Sequence, residues 1–370
     1  MNKLDLALNH RVSIEGVFPS VTPLYQNSAF SADSPYFYTR KDNPNVREFE
    51  ETVAILENAK YSLATTNGMS AINLAVSLLV PGDALVVNKL IYGCSYKLFQ
   101  QLEALRGVNI AILDLSQKDI VETFPESTKM VFFETPTNPF LKTVYIKELS
   151  TAIKARFPKA LITVDNTWAT PLYQHPLELG ADISLHSATK FMSGHSDVMG
   201  GIILSNNSKL MDQLRSLRFY FGANLDPHSA WLLRRSLKTL SIRMEDHSYK
   251  TKIMRDWLQT KDEVKEVFFP DISEGQLSNY GGIIFFQLKQ YDQDEYITFR
   301  DNLSCFDTGT GMACVTSMVA QPYTGSHASM DDAEKTRVGI NKGLVRLCFG
   351  LESIPTLQAD IDNALKQLAL

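Results

Sequence analysis

Ile183-Ser184-Leu185-His186-Ser187-Ala188-Thr189-Lys190-Phe191-Met192-Ser193-Gly194-His195-Ser196-Asp197 is the stretch on which the reading of this chain turns. Ile183 to His186 is a short apolar run that reads as the end of a buried strand. The Ser- and Gly-rich residues after it read as a loop carrying a lysine. An exposed lysine in such a loop is the bland alternative, and the rest of the chain tells against it.

Working outward, Leu85–Asn88, Asn109–Leu113, Met130–Glu134 and Leu161–Asp165 are further apolar strand candidates, with helical patterns between several of them. Leu63 to Thr66 is strand-like and turns at Gly68 into a helix running to about Leu79, which Pro81-Gly82-Asp83 stops. This alternation predicts an α/β sheet with helices on both faces. Upstream, Val46–Asn58 is helical, with Phe49, Val53 and Leu56 on one face. Residues 1–45 are punctuated by Pro19, Pro23, Pro35 and Pro44 and read as an irregular, extended arm. A helical pattern from Pro227 past Arg243 into Trp257 would bridge to a C-terminal domain with strands at 282–288 and 345–349 and a final helix from about Pro355. The expected division is an arm over 1–45, a large domain over 46–235 and a C-terminal domain over 236–370.

Composition narrows the function. The 370 residues are 44% hydrophobic with a net charge of -5 and no basic tract, which argues against nucleic acid. No apolar run approaches the roughly 18 residues of a membrane span, and Met1-Asn2-Lys3-Leu4-Asp5 lacks a secretory apolar region. The cysteines, Cys94, Cys305, Cys314 and Cys348, show no CxxC spacing. Neither a metal site nor a disulfide framework is expected, and a reducing cytoplasmic setting fits.

Lys190 with Ser187 and Thr189 just before it suits a site for pyridoxal 5'-phosphate (PLP). The lysine amine bonds the cofactor's aldehyde and the hydroxyls donate to its phosphate. Asp165, at a strand's carboxyl end, sits where open α/β sheets bind ligands and supplies the carboxylate that keeps the pyridine nitrogen protonated. Gly68-Met69 at a helix start offers free N–H groups to a phosphate. Arg346 offers a planar fork to a substrate carboxylate. Taken singly, a strand-end cap, a plain helix start and a surface ion-pair residue explain the last three.

Together these pieces resemble the Cys/Met-metabolism family of PLP enzymes, which includes cystathionine γ-synthases, cystathionine β- and γ-lyases and methionine γ-lyases. The resemblance rests on Tyr38-Thr39-Arg40-Lys41-Asp42-Asn43-Pro44, Thr66-Asn67-Gly68-Met69-Ser70-Ala71, Ile91-Tyr92-Gly93-Cys94-Ser95-Tyr96, Glu134-Thr135-Pro136-Thr137-Asn138-Pro139, Val164-Asp165-Asn166-Thr167 and the Lys190 block through Gly201, in the family's order. It implies PLP fold type I, aspartate aminotransferase-like. That fold has a large, mostly parallel, seven-stranded-type sheet domain and a smaller C-terminal α+β domain. It further implies that Lys190 binds the cofactor and moves protons, that Asp165 pairs with the pyridinium, and that Tyr92 stacks on the ring and acts as acid or base. Gly68, Met69, Ser187 and Thr189 would hold the phosphate, joined by Tyr38 and Arg40 of a neighbouring subunit, so a homotetramer (a dimer of dimers) is expected. Asn138 would contact the phenolic oxygen, and Arg346 with Ser317 would take the substrate carboxylate. The implied reaction is γ-elimination or γ-replacement on a homoserine-derived or sulfur amino acid, as in cystathionine γ-synthase or γ-lyase. A methionine γ-lyase-like enzyme or a specialised γ-replacement enzyme of secondary metabolism are the alternatives.

The residues that would choose among these conflict. Cys94 stands where methionine γ-lyases have a cysteine facing the substrate, though a small residue in a tight turn is an equal reading. Lys41 and Lys97 fall where cystathionine-handling members carry arginine, though both also read as solvated surface lysines. Cys314-Val315-Thr316-Ser317-Met318-Val319 departs most from the family pattern, with Thr316 in the position often held by Glu.

Overall fold

The computed structural model describes residues 2–12, 19–272, 275–279, 281–290, 292–309 and 311–369. The strands are β1 (Tyr61–Thr65), β2 (Ala84–Asn88), β3 (Asn109–Leu113), β4 (Thr128–Glu134), β5 (Leu161–Asp165), β6 (Ile183–Ser187), β7 (Gly201–Ser205), β8 (Val264–Phe268), β9 (Ile283–Leu288), β10 (Asp307–Thr308), β11 (Met318–Ala320) and β12 (Leu344–Cys348). The α-helices are α1 (Lys3–Asn9), α2 (Pro44–Glu57), α3 (Gly68–Val76), α4 (Gly93–Arg106), α5 (Ile146–Arg156), α6 (Thr170–Tyr173), α7 (Ser208–Phe221), α8 (Pro227–Leu237), α9 (Leu240–Leu258), α10 (Gln293–Asp301), α11 (Asp332–Arg337) and α12 (Ile354–Lys366).

β1 to β7 form one seven-stranded sheet in the order β1-β7-β6-β5-β4-β2-β3. Only β7 opposes its neighbours, pairing antiparallel with both β1 and β6. Burial of every residue in β2 and β7 explains their unbroken apolar runs, since helices cover both faces. One apolar layer contains Phe49, Val53, Val86, Val131, Ile162 and Ile202; the other contains Leu74, Phe99, Leu85, Phe132, Leu185 and Ile203. The second sheet, ordered β10-β11-β12-β9-β8, packs its own core of Phe286, Phe299, Val345, Leu347 and Ile361 against α9, α10 and α12.

Three differences from the sequence reading bear on how the site is placed. The arm begins with α1, capped by the Asn2 side chain and packed on α2. Gly201–Ser205 is a strand. The helical pattern from Pro227 is two helices that break at Lys238-Thr239. Leu233, Leu237, Leu240 and Met244 keep the i, i+3, i+4 spacing straight through that break, so periodicity alone reads one helix. Arg243 ties the corner, its guanidinium donating to the carbonyls of Ser236 at 3.0 Å and Phe191 at 2.7 Å.

Candidate functional site

The parallel strands β4, β5 and β6 end side by side at Glu134, Asp165 and Ser187, and Lys190 follows three residues after the last. A cleft of about 660 Å³ opens there, lined among others by Thr66, Thr189, Lys190, Gly311 and Met312. Arg346 reaches this cleft from the other sheet: its Nη2 donates to the Gly311 carbonyl at 2.8 Å, and Nη1 lies 3.7 Å from Met312 Sδ. The site therefore lies between the carboxyl ends of one sheet and a strand of the other.

Lys190 is held below the ordinary lysine range, first by burial and then by the positive charge of Arg346. A larger neutral fraction makes the amine a better nucleophile and base. Asp165 is pushed up by burial. The Thr167 hydroxyl (2.5 Å) and amide (2.9 Å), both donating to Oδ1, and the nearby His186 pull it down. A cation beside this carboxylate would favour its charged form. Tyr92 begins α4, and its phenol is raised by burial and a hydrogen bond with Cys94 while Arg346 pulls it down. The phenol stays protonated at neutral pH, so it serves as a hydrogen donor.

The residues present fit PLP on observations of this chain. α3 opens at Gly68, with the Asn67 side chain accepting only the Ser70 N–H at 2.9 Å. A Cβ on Gly68 would stand 2.7 Å from Ser187 Cβ, so glycine is needed for the helix start to approach the end of β6. Asn138 is buried and its Oδ1 has no partner among the described residues, so its side-chain amide is not committed to another residue through that atom. The donor set of Lys190, Asp165 and a helix N-terminus matches an aldehyde, a pyridine nitrogen and a phosphate.

The other expected residues distribute unevenly. Thr189 hydroxyl both donates to the Gly200 carbonyl (3.2 Å) and accepts its N–H (3.0 Å). Met69 packs with the apolar layer around α3. Cys94 is exposed at the Tyr92 end of α4. Lys97 is exposed and donates to Gln100 Oε1 at 3.1 Å. Ser317 is fully buried, its hydroxyl donating to Glu352 Oε2 at 2.7 Å and accepting the Gly350 N–H at 2.8 Å, so its proton is already committed. Thr316 is exposed, donating weakly toward Cys314 Sγ at 3.6 Å. Tyr38, Arg40 and Lys41 are not brought to Lys190. Arg40 donates to the Phe219 carbonyl at 2.9 Å and lies over the Phe219 ring, and Lys41 lines a separate groove between the arm and α7. Glu134 and Arg243 were given no role by the sequence reading, yet they fix Tyr92 and the Phe191 backbone beside Lys190. Among the described residues no cluster of three or more His, Cys, Asp or Glu is placed to hold a metal. Among the described residues no helix is long and apolar enough to cross a membrane.

The model of the Cys/Met metabolism PLP-dependent enzymes matches residues 13–366. The chain is 37% identical over 359 residues to a cystathionine β-lyase of Lactococcus lactis subsp. cremoris (strain MG1363), covering 93% of each. It is 35% identical over 374 residues to an L-methionine γ-lyase of Pseudomonas deceptionensis, covering 94% of this chain and 93% of the relative. It superposes with a TM-score of 0.95 and 31% identity on a crystal structure of cystathionine γ-synthase from Xanthomonas oryzae pv. oryzae in complex with aminoacrylate and cysteine, covering 100% of this chain and 99% of that one. With a lysine-bearing α/β site and these relatives, the protein is a PLP-dependent enzyme. It belongs to the Cys/Met metabolism family, with PLP as its cofactor and an amino acid as its substrate.

Proposed function

We propose that this enzyme performs γ-elimination or γ-replacement on a homoserine-derived or sulfur amino acid, in the manner of cystathionine γ-synthases and γ-lyases. The observation that carries the reading is Lys190 itself. It is a buried amine biased toward its neutral form, beside Arg346 and at the ends of the strands that carry Asp165 and Glu134. When bound, PLP supplies an electron sink for the pair left at the substrate's Cα. Lys190 anchors the cofactor and takes the Cα proton; its flexible stem then carries protons to neighbouring carbons. Asp165 holds the pyridine side, and Gly68, Met69, Ser187 and Thr189 hold the phosphate end. Asn138 contacts the ring's phenolic oxygen, its side-chain N–H donating. Arg346 grips the substrate carboxylate. The protonated Tyr92 phenol donates to the departing γ substituent. Cys94, Lys41, Lys97 and Thr316, all exposed, are the candidate determinants of substrate choice.

Tyr38 and Arg40 complete the phosphate site of a neighbouring subunit, in a homotetramer built as a dimer of dimers. The groove beside them, lined by Lys41 and Phe219, supports this. It is bordered by Phe37 and Tyr220, 73% and 77% exposed, and large exposed aromatics mark an interaction surface. The four cysteines are unpaired, in keeping with a reducing cytoplasmic setting.

The test is a substrate panel on purified enzyme: cystathionine, methionine, homocysteine, cysteine and O-acyl homoserines, each with and without a thiol, reading 2-oxo acid release and thiol consumption. 2-Oxobutanoate from cystathionine, or thiol addition to a homoserine ester, supports the proposal. Pyruvate from cystathionine without 2-oxobutanoate would make it a β-lyase. 2-Oxobutanoate from methionine in preference to cystathionine would favour the methionine γ-lyase reading and give Cys94 the deciding role.

A further inference from the structure

A second cavity lies on the far side of α8 from the cleft at Lys190, and it shares no lining residue with that cleft. It encloses about 140 Å³, well above the roughly 10–15 Å³ that one water requires. Four cations line it, Arg11, Arg234, Arg235 and Lys238, against one carboxylate, Glu48. Glu48 is spent on Arg234, with Oε1 3.2 Å from Nε. Arg11, Arg235 and Lys238 have no carboxylate partner among the described residues. Like charges gathered at this range repel one another unless an anion sits between them.

Arg234 sharpens the argument. It is only 5% exposed, and its Nη2 is satisfied by the carbonyls of Ala7 (3.0 Å), Leu8 (3.3 Å) and His10 (2.8 Å) at the end of α1. Its Nη1 is buried with no acceptor among the described residues. A buried guanidinium nitrogen without an acceptor carries a desolvation penalty that a bound oxyanion would remove. Burial and the charges of Arg234 and Arg11 also push the Lys238 ammonium down, the response expected where several cations share one space.

We propose that this cavity is a binding site for a phosphate group, free or carried by a small phosphate monoester, held by Arg234, Arg235, Lys238 and Arg11. Arginine forks match phosphate oxygens bidentately, and the lysine adds a point charge. Occupancy would pin α1 and the arm to α8. α8 runs into α9, whose Arg243 donates to the Phe191 carbonyl next to Lys190, so the site is mechanically continuous with the catalytic loop.

The test uses the cofactor-saturated enzyme, so that the PLP site is filled. Inorganic phosphate and, separately, glycerol 3-phosphate are titrated by calorimetry, with sodium chloride at matched ionic strength as control and visible absorbance followed to show that the cofactor stays bound. The expected result is saturable binding of phosphate. Lys238→Gln weakens it about threefold to tenfold and Arg234→Leu abolishes it. Tighter binding of glycerol 3-phosphate than of phosphate would identify a monoester as the ligand, and the reverse would identify the free ion. Lys238 is half-exposed, so Lys238→Gln keeps the test valid if Arg234→Leu fails to fold. Absence of saturable heat in the unmodified enzyme, or equal affinity in the enzyme and Lys238→Gln, overturns the proposal.

Discussion

Tyr92 and Glu134 are joined by one hydrogen bond, the Tyr92 backbone N–H donating to Glu134 Oε1 at 2.7 Å. Glu134 ends β4 directly beside Asp165, which ends β5, and it is almost wholly buried. Burial first, and the charge of Asp165 second, push its carboxyl well above the ordinary range. Two carboxylates this close and this dry do not both ionise, so Glu134 carries the proton and Asp165 the charge. A neutral Glu134 thus does two things: it anchors the N-terminus of α4, and it leaves Asp165 as the anion at the ends of β4 and β5.

Glutamine at 134 should therefore be tolerated. Its amide oxygen accepts the Tyr92 N–H and it adds no charge. Glu134→Gln is expected to keep kcat/KM within about threefold, whereas Glu134→Ala leaves the amide without an acceptor, at about 1–3 kcal/mol, or roughly tenfold to a hundredfold in kcat. Steady-state kinetics on both variants decides. Equal damage from Gln and Ala would show that an ionised carboxylate is needed there.

Gly68→Ala tests the phosphate cradle. The new methyl would meet Ser187 Cβ at 2.7 Å, and neither atom is the end of a flexible chain. Overpacking of this kind costs about 1–3 kcal/mol, so the dissociation constant for PLP should rise about tenfold. Titration of the apoenzyme measures it. Unchanged cofactor affinity in the single variant would place the phosphate elsewhere.

Much of this site was legible before any coordinates. Lys190, Asp165 and Gly68 sit at strand and helix boundaries, which apolar runs and turn residues mark. Glu134 lay inside a recognised motif yet had no visible role, because its meaning depends on which strand lies beside β4. Ser317 and Glu352 pair across 35 residues, a contact no local pattern encodes, and it withdraws the Ser317 proton from the substrate. The strands β8, β10 and β11 escaped for a related reason. β10 has two residues and β11 three, while β8 is half-exposed, so none forms the buried apolar run by which β2 or β5 announces itself.

Arg346→Lys should separate a geometric role from a merely electrostatic one. Lysine keeps the charge near Lys190 but loses the fork, and with it the hydrogen bond to the Gly311 carbonyl or the grip on a carboxylate. kcat/KM is expected to fall at least about tenfold, mostly through KM, from the loss of one charge-assisted hydrogen bond. Arg346→Ala should fall further. A fall confined to kcat in Arg346→Ala and absent from Arg346→Lys would assign Arg346 to holding Lys190 neutral rather than to binding substrate.

Acid sensitivity follows from two buried histidines. His327 donates from Nε2 to the carbonyls of Ile91 at 3.0 Å and Asn138 at 3.3 Å, and its pKa is lowered to about 4, chiefly by burial. His247, packed against Phe191, is likewise lowered to about 4 by burial and then by Arg243. Below the ordinary histidine pKa of about 6.5 the unfolded chain takes up a proton at each site while the folded protein does not. Stability is therefore fully present above about pH 6.5 and is lost as pH falls toward 4, by about 3 kcal/mol for each ring. Urea unfolding between pH 7 and pH 4.5 should show this slope. His327→Asn removes one of the two groups, so its stability at pH 7 should drop while its slope becomes shallower by about one proton. A variant with the same slope as the unmodified enzyme would mean that His327 is already charged in the folded protein, and that the Ile91 and Asn138 carbonyls outweigh its burial.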